Sequence, residues 1–264
     1  MTGAASGIGR AVSEELARRG TTVIAADLNQ TGVEDAVRLI LEGGGRAESA
    51  HVDVANRDQV QSLVDDAVSK YGRLDYMFNN AGIGVVGEVR DMEPDHWQRT
   101  IDVNLWGVIH GSLAAYKVMV ARRGGHIVNT ASLAGLVPSP TLAAYSVAKH
   151  GVVGLSTSLR AEGAGLGVKV SAVCPGLVRT GLYETITLVN AERDTLVKRI
   201  PIKPIDPRQA AQAILRGVER NREIIVFPAN AQALWMLTRL SRGVGQWLAR
   251  QTVKEFRKIR TGPS

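Results

Sequence analysis

The stretch Thr2–Arg10, TGAASGIGR, decides the reading of this chain. Gly3, Gly7 and Gly9 stand at the spacing G-x-x-x-G-x-G, directly before a helical pattern that begins at Ile8. Glycines permit the tight turn and let a ligand approach the backbone, while the helix start presents unpaired N–H groups and a positive dipole end. A pyrophosphate is the group that such a turn receives. A tight turn without a ligand fits the same glycines, and Asp27, 18 residues beyond Gly9 at the end of the next strand, favours the first reading. A carboxylate there accepts both ribose hydroxyls of NAD and repels the 2′-phosphate of NADP. The residues that follow, Leu28, Asn29 and Gln30, bring no cation to receive that phosphate, so NAD is the expected cofactor.

Outward from this turn, short β-branched runs alternate with longer helical patterns. The strands are read at Thr21–Ala26, Arg46–Val52, Leu74–Phe78, His126–Thr130, Val168–Val173 and Glu223–Phe227. The helices are read at Ile8–Arg19, Gly32–Leu41, Arg57–Tyr71, Asp95–Arg122, Ala143–Glu162 and Pro207–Arg220. Successive apolar residues such as Ile127 and Val128 mark strands covered on both faces, so the fold class is α/β, a doubly wound parallel sheet in three layers. A glycine turn of this kind should follow a buried strand, yet only Met1 precedes Thr2. The expectation is that the first, central strand is missing from the sequence as given.

With 45% apolar and 22% charged residues in 264, the chain is not a disordered one. It has no apolar run of roughly 20 residues and no basic-then-apolar leader. Its one cysteine, Cys174, forms no internal disulfide, and a cytoplasmic location is expected. The net charge of +7 raises a nucleic-acid reading until its distribution is read: residues 229–264 carry +6 and the rest carries +1. This divides the chain into a dinucleotide-binding and catalytic part, 1–228, and a basic helical tail, 229–264. At 100° per residue from Leu234, the residues Leu237, Leu240, Val244, Trp247, Leu248, Phe256 and Ile259 fall on one side and Arg239, Arg242, Arg250, Arg257 and Arg260 on the other, with a break near Gly243 and Gly245. Such a tail packs over the substrate cleft or another subunit with its basic side in water, or it makes peripheral contact with a membrane interface. It has no interleaved aromatics for stacking on bases, so no nucleic-acid partner is expected.

Tyr145 and Lys149 lie four residues apart in AAYSVAKHG, on one helical face, where an ammonium favours a phenolate. Ser132 lies 13 residues upstream of Tyr145, just past the strand ending at Thr130, where its hydroxyl can bond a substrate oxygen as charge develops. The histidines His51, His96, His110, His126 and His150 have no metal-ligand spacing, and no metal is expected; Cys174 reads as a buried inert thiol.

With these residues in view, residues 2 to about 228 resemble the short-chain dehydrogenase/reductase family. The resemblance rests on TGAASGIG, on Asp53 and Val54, on Asn79, Asn80, Ala81 and Gly82, on Asn104 in VNLWG, on Ser132, on Tyr145 with Lys149, and on Pro175, Gly176 and Thr180. It implies a seven-stranded Rossmann-type sheet and NAD(P)-dependent hydride transfer between an alcohol and a ketone or aldehyde. By the same resemblance Tyr145 is the acid/base, Ser132 steadies the substrate oxygen, Lys149 binds the nicotinamide ribose and lowers the phenol pKa, and Asn104 holds a water. Gly3, Ser6, Gly7, Ile8, Gly9, Asp27, Asp53, Val54, Asn80, Ala81, Gly82, Pro175, Gly176, Val178 and Thr180 are the implied cofactor contacts, together with Tyr145 and Lys149. A homo-oligomer, dimer or tetramer, built through Asp95–Arg122 and Ala143–Glu162 is also implied. The loops after Ser132 and Thr180 are mostly apolar, which points to a hydrophobic secondary alcohol or ketone, steroid-, retinoid- or lipid-like. The competing expectation is a non-catalytic NAD-binding scaffold whose basic tail binds a membrane or a partner.

Overall fold

The computed structural model describes residues 1–181, 185–192 and 203–261. Helix α1 spans Gly7–Arg18, followed by β1 Thr22–Asp27, α2 Gln30–Glu42, β2 Arg46–His51, α3 Arg57–Tyr71 and β3 Tyr76–Asn79. After a two-residue strand β4, Val85–Val86, come α4 Pro94–Ile101, α5 Gly107–Ala121, β5 Gly125–Thr130, α6 Ala143–Gly163 and β6 Val168–Pro175. The described chain ends with β7 Thr187–Leu188, α7 Pro207–Glu219, β8 Ile224–Phe227, α8 Ala229–Leu240 and α9 Arg242–Arg257. The starts are set locally: Asn29 and Asn56 accept first-turn N–H bonds of α2 and α3, and Asp206 with Pro207 opens α7 in a capping box.

Among the described residues the paired strands run parallel, in the order β3-β5-β6-β8 on one side and β1-β2 on the other, with β4-β7 as a separate pair. Met1 and Thr2 lie between the two parts. Thr2 bridges Ala26 and donates its N–H to the Phe78 carbonyl, while Ala26 N–H bonds the Met1 carbonyl. The sheet is buried under helices on both faces, and Ile127, Val128, Val170 and Val173 are fully inaccessible, as their unbroken apolar runs require. Asn79, Ser112, Asn129 and Ser156 form a buried hydrogen-bonded chain that links β3 and β5 to α5 and α6.

Two expectations change. The single helix read over Asp95–Arg122 is interrupted by a π-helical turn at Asp102–Trp106, with one extra residue per turn, and Asn104 stands in it. The tail breaks at Ser241 rather than at the glycines, because extended Ser241 ends α8 and its hydroxyl accepts from Val244 N–H, the first turn of α9. The apolar side of the tail also divides. Phe256 and Ile259 are buried against the body, whereas Leu240 is 87% and Trp247 59% exposed. Among the described residues no helix is long and apolar enough to cross a membrane.

His126, buried in β5, donates from Nε2 to Ser171 Oγ (2.9 Å), since that hydroxyl gives its own proton to the Arg222 carbonyl. Burial, aided by the Lys169 and Arg160 charges, lowers its pKa to about 4. Between pH 6.5 and 4 the unfolded chain therefore takes up a proton that the folded chain refuses, so this contribution is complete above 6.5 and falls as pH drops toward 4. Urea unfolding at a series of pH values should show wild type losing about 2–3 kcal/mol more than His126→Gln between pH 7 and 4.5. Parallel pH profiles for the two proteins would refute the role.

Candidate active site

The cleft opens at the carboxyl ends of the strands and begins with the glycine turn. Gly7 has φ +55°, and a Cβ on it would stand 3.0 Å from the Thr180 side chain. At Gly9 a Cβ would fall 2.0 Å from the Gly3 carbonyl oxygen and 2.6 Å from Asn80 Nδ2, so α1 can start against the turn only without a side chain. Ser6 precedes α1 in extended conformation and caps it with no side-chain bond, leaving the first N–H groups to the cleft. Asn80 fastens the turn: its Nδ2 donates to the Thr2 and Gly3 carbonyls, and its Oδ1 accepts from Thr130 Oγ1. Asp27 is held at the rim by Ala5 N–H on Oδ2 and Asn29 N–H on Oδ1, both 2.9 Å. Further along, Asp53 Oδ1 accepts from Ala55 N–H, and buried Val54 gives its carbonyl to His110 Nδ1. A bare backbone cradle, a free helix start and a fixed carboxylate fit the diphosphate and ribose of a dinucleotide.

The other end is built on β5 and the π turn. Lys149 is 2% exposed and donates from Nζ to the Thr130 carbonyl (2.8 Å), with Nζ 5.5 Å from the centre of the Tyr145 ring. Burial lowers its pKa to about 8. For Tyr145 burial raises the phenol above its ordinary value, opposed by a hydrogen bond with Ser132, so at neutral pH the phenol keeps its proton. The phenol's shift is thus opposite in direction to the lowering expected from Lys149, and burial is its largest cause. Ser132 Oγ accepts from Ala134 N–H (3.1 Å), which fixes the hydroxyl at the cleft. Asn104 is fully buried, its Oδ1 accepting from Ile83 N–H and its Nδ2 donating to the Ile83 carbonyl. One N–H and one lone pair of that amide remain for a water. Cys174 lies beneath Ser132, pushed up to about 12 by burial and therefore inert as a nucleophile.

These residues share one cleft of about 1850 Å³, large for a small-molecule site and roomy enough for a dinucleotide beside a substrate. Asn104, Ser132, Tyr145 and Lys149 line it, as do Gly3, Ser6, Gly7, Ile8, Asp27, Asp53, Val54, Asn80, Ala81, Gly82, Pro175, Gly176, Val178 and Thr180. Gly9 stands behind the wall and acts by its smallness alone. Sequence reasoning missed the main-chain groups of Thr130 and Ile83 that hold Lys149 and Asn104, since no side chain signals them. It also missed Leu234 and Thr252, which the tail brings to the wall. Of the apolar stretch read from Gly181 to Ile200, residues 182–184 and 193–200 lie outside the described residues.

The family model described as short chain dehydrogenase matches residues 1–190. The chain is 36% identical over 216 residues to the 3-oxoacyl-[acyl-carrier-protein] reductase FabG of Thermotoga maritima, covering 81% of this chain and 87% of that one. It is also 36% identical over 216 residues to the cyclohexanol dehydrogenase of an Acinetobacter species, covering 81% and 84%. A crystal structure of a short chain dehydrogenase/reductase from Burkholderia phymatum in complex with NAD superposes with a TM-score of 0.84 at 28% identity, over 90% of this chain and 91% of that one.

The clearance at Gly9 is directly testable. Gly9→Ala should destabilise the protein by at least about 2 kcal/mol and weaken binding of the reduced nicotinamide dinucleotide, NADH or NADPH, tenfold or more, measured by thermal unfolding and by fluorescence titration. Wild-type values for both would show that the turn tolerates the methyl group.

Proposed function

We propose that this chain, which belongs to the short chain dehydrogenase family and is an enzyme acting on CH–OH or carbonyl groups, is an NAD-dependent oxidoreductase for apolar secondary alcohols and their ketones. The observation that carries this reading is the convergence of Ser132, Tyr145 and Lys149 at the end of the cleft opposite Asp27, with an apolar wall beside them. Val137, Leu142, Ile186, Leu188 and Leu234 supply that wall, and the likeness to a cyclohexanol dehydrogenase agrees with it.

The glycine turn and the α1 start hold the pyrophosphate, Asp27 the adenosine ribose, Asp53 and Val54 the adenine side, and Lys149 the second ribose. Ala81, Gly82, Pro175, Gly176, Val178 and Thr180 line the remainder of the dinucleotide. When bound, the nicotinamide ring supplies the hydride acceptor or donor. Ser132 Oγ donates a hydrogen bond to the substrate oxygen, opposing its drift as charge builds there. Tyr145 passes a proton between its phenol oxygen and that same oxygen: as a phenol it protonates the forming alkoxide, and as a phenolate it takes the alcohol proton. Lys149, kept next to the phenol by the Thr130 carbonyl, favours the phenolate whenever it is charged. Asn104, locked on Ile83, keeps its spare N–H and lone pair for a water that connects Lys149 to solvent. The exposed Trp106, Leu113 and Val147, in the π turn, α5 and α6, supply apolar surface for assembly into a homo-oligomer.

Two substitutions test the reading. Tyr145→Phe should lower kcat at least about 10³-fold while the Kd for NADH changes less than threefold; retained turnover would remove Tyr145 from the chemistry. Asp27→Ala should raise the KM for NAD at least tenfold and bring NADP into use, followed as NAD(P)H absorbance. An unchanged NAD to NADP ratio would show that Asp27 does not select the cofactor.

A further inference from the structure

The last turns of the chain are tied to the substrate side of the cleft by contacts that the catalytic reading leaves unused. Strands β4 and β7 pair through only a few bonds, Thr187 N–H to the Gly84 carbonyl (3.0 Å) and Val189 N–H to the Val86 carbonyl (2.9 Å) among them. A two-stranded ribbon of that size is not stable by itself. Phe256 and Ile259 cover it, packed with Val86, Leu142, Ile186, Leu188 and Ala191. The chain then pairs back on the ribbon: Ala191 bridges Arg260 in antiparallel sense, and Thr261 N–H donates to the Asn190 carbonyl.

Two ion pairs fix this arrangement from the other side. Arg260, whose side chain is 6% exposed, grips Asp91 with Nε on Oδ2 (2.7 Å) and Nη2 on Oδ1 (2.6 Å), and Arg257 Nε reaches Glu88 Oε1 (2.6 Å). The Arg260 guanidinium holds the Asp91 carboxyl down at about 2. At Glu88 burial pushes the pKa up, and the Arg257 and Arg90 guanidiniums more than offset it. A two-pronged pair admits one register, and losing Arg260 removes the largest of the groups that hold the Asp91 carboxylate. Two of the tail's basic groups are thus spent on the body, and the tail also places Leu234 and Thr252 in the cleft wall.

We propose that residues 252–261 are a strap that positions residues 185–191 as a wall of the substrate end, with Arg260 as its positioning residue and Leu234 and Thr252 limiting the bulk of the substrate. This makes the tail part of the catalytic unit, and it rests on the function proposed above. Amide hydrogen exchange at Thr187 and Val189 reads the strap without any assay of turnover. Arg260→Ala should speed exchange at both at least tenfold, raise the KM of apolar secondary alcohols about tenfold, and leave kcat and the KM for NAD within twofold. Arg260→Lys, which keeps the charge and folds more readily, should restore part of each effect, and Leu234→Ala should shift preference to bulkier alcohols. Unchanged exchange in Arg260→Ala overturns the proposal, as does a KM for NAD that rises in step with that of the alcohol, the mark of a generally loosened fold. Faster exchange in a protein whose wild type oxidises no alcohol upholds the strap and overturns the function.

Discussion

The close approach of Gly9 to the Gly3 carbonyl is the contact on which the rest of the site depends. It lets α1 begin directly under the turn, so that the positive end of the helix faces the same crevice as the carboxyl ends of β1, β3, β5 and β6. Asn80 then carries that position to β5 through Thr130. Thr130 holds Lys149 through its carbonyl, so a single chain of hydrogen bonds runs from the phosphate cradle to the ammonium.

The chemistry end shows how burial and contact oppose one another. Desolvation raises the Tyr145 phenol and lowers the Lys149 ammonium, so each is driven toward its neutral form. A neutral phenol suits donation to a carbonyl oxygen, and a lysine near pH 8 changes charge close to physiological pH. The π turn serves the same site from behind. It turns the Asn104 amide onto Ile83, with Oδ1 also lying against Gly82, where a Cβ would come within 2.7 Å. A regular helix through Asp102–Trp106 would place that side chain differently, which accounts for an irregular turn in an otherwise continuous helical stretch.

The excess charge of the tail has two destinations. Arg257 and Arg260 complete a pair of acids on the body, Glu88 and Asp91, while Lys258 pairs within the tail with Glu255. Phe256 and Ile259 face inward with them, whereas Leu240 and Trp247, on either side of the α8–α9 corner, are exposed. An amphipathic helix read as one stripe is thus two half-faces, because the chain turns at Ser241 and the two helices meet different surroundings.

The sequence by itself determined the parallel α/β fold, since unbroken apolar runs such as Ile127 and Val128 require cover on both faces; the six strands read from it lie within a few residues of their places, whereas the short β4 and β7 and the π turn that divides the helix read over Asp95–Arg122 left no such signal. It also singled out Asp27, Ser132, Tyr145 and Lys149 by residue type and spacing, and Gly3 and Gly7 by their lack of a side chain, and all six line one cleft. Only the tertiary structure decided what depends on main-chain atoms or distant partners: the Thr130 carbonyl on Lys149, Ile83 on Asn104, and Asp91 under Arg260, 169 residues away. Periodicity records which side of a helix is apolar, but not what that side meets. Burial is a property of the assembled surfaces, and it is the largest influence on the direction in which the phenol and the ammonium titrate.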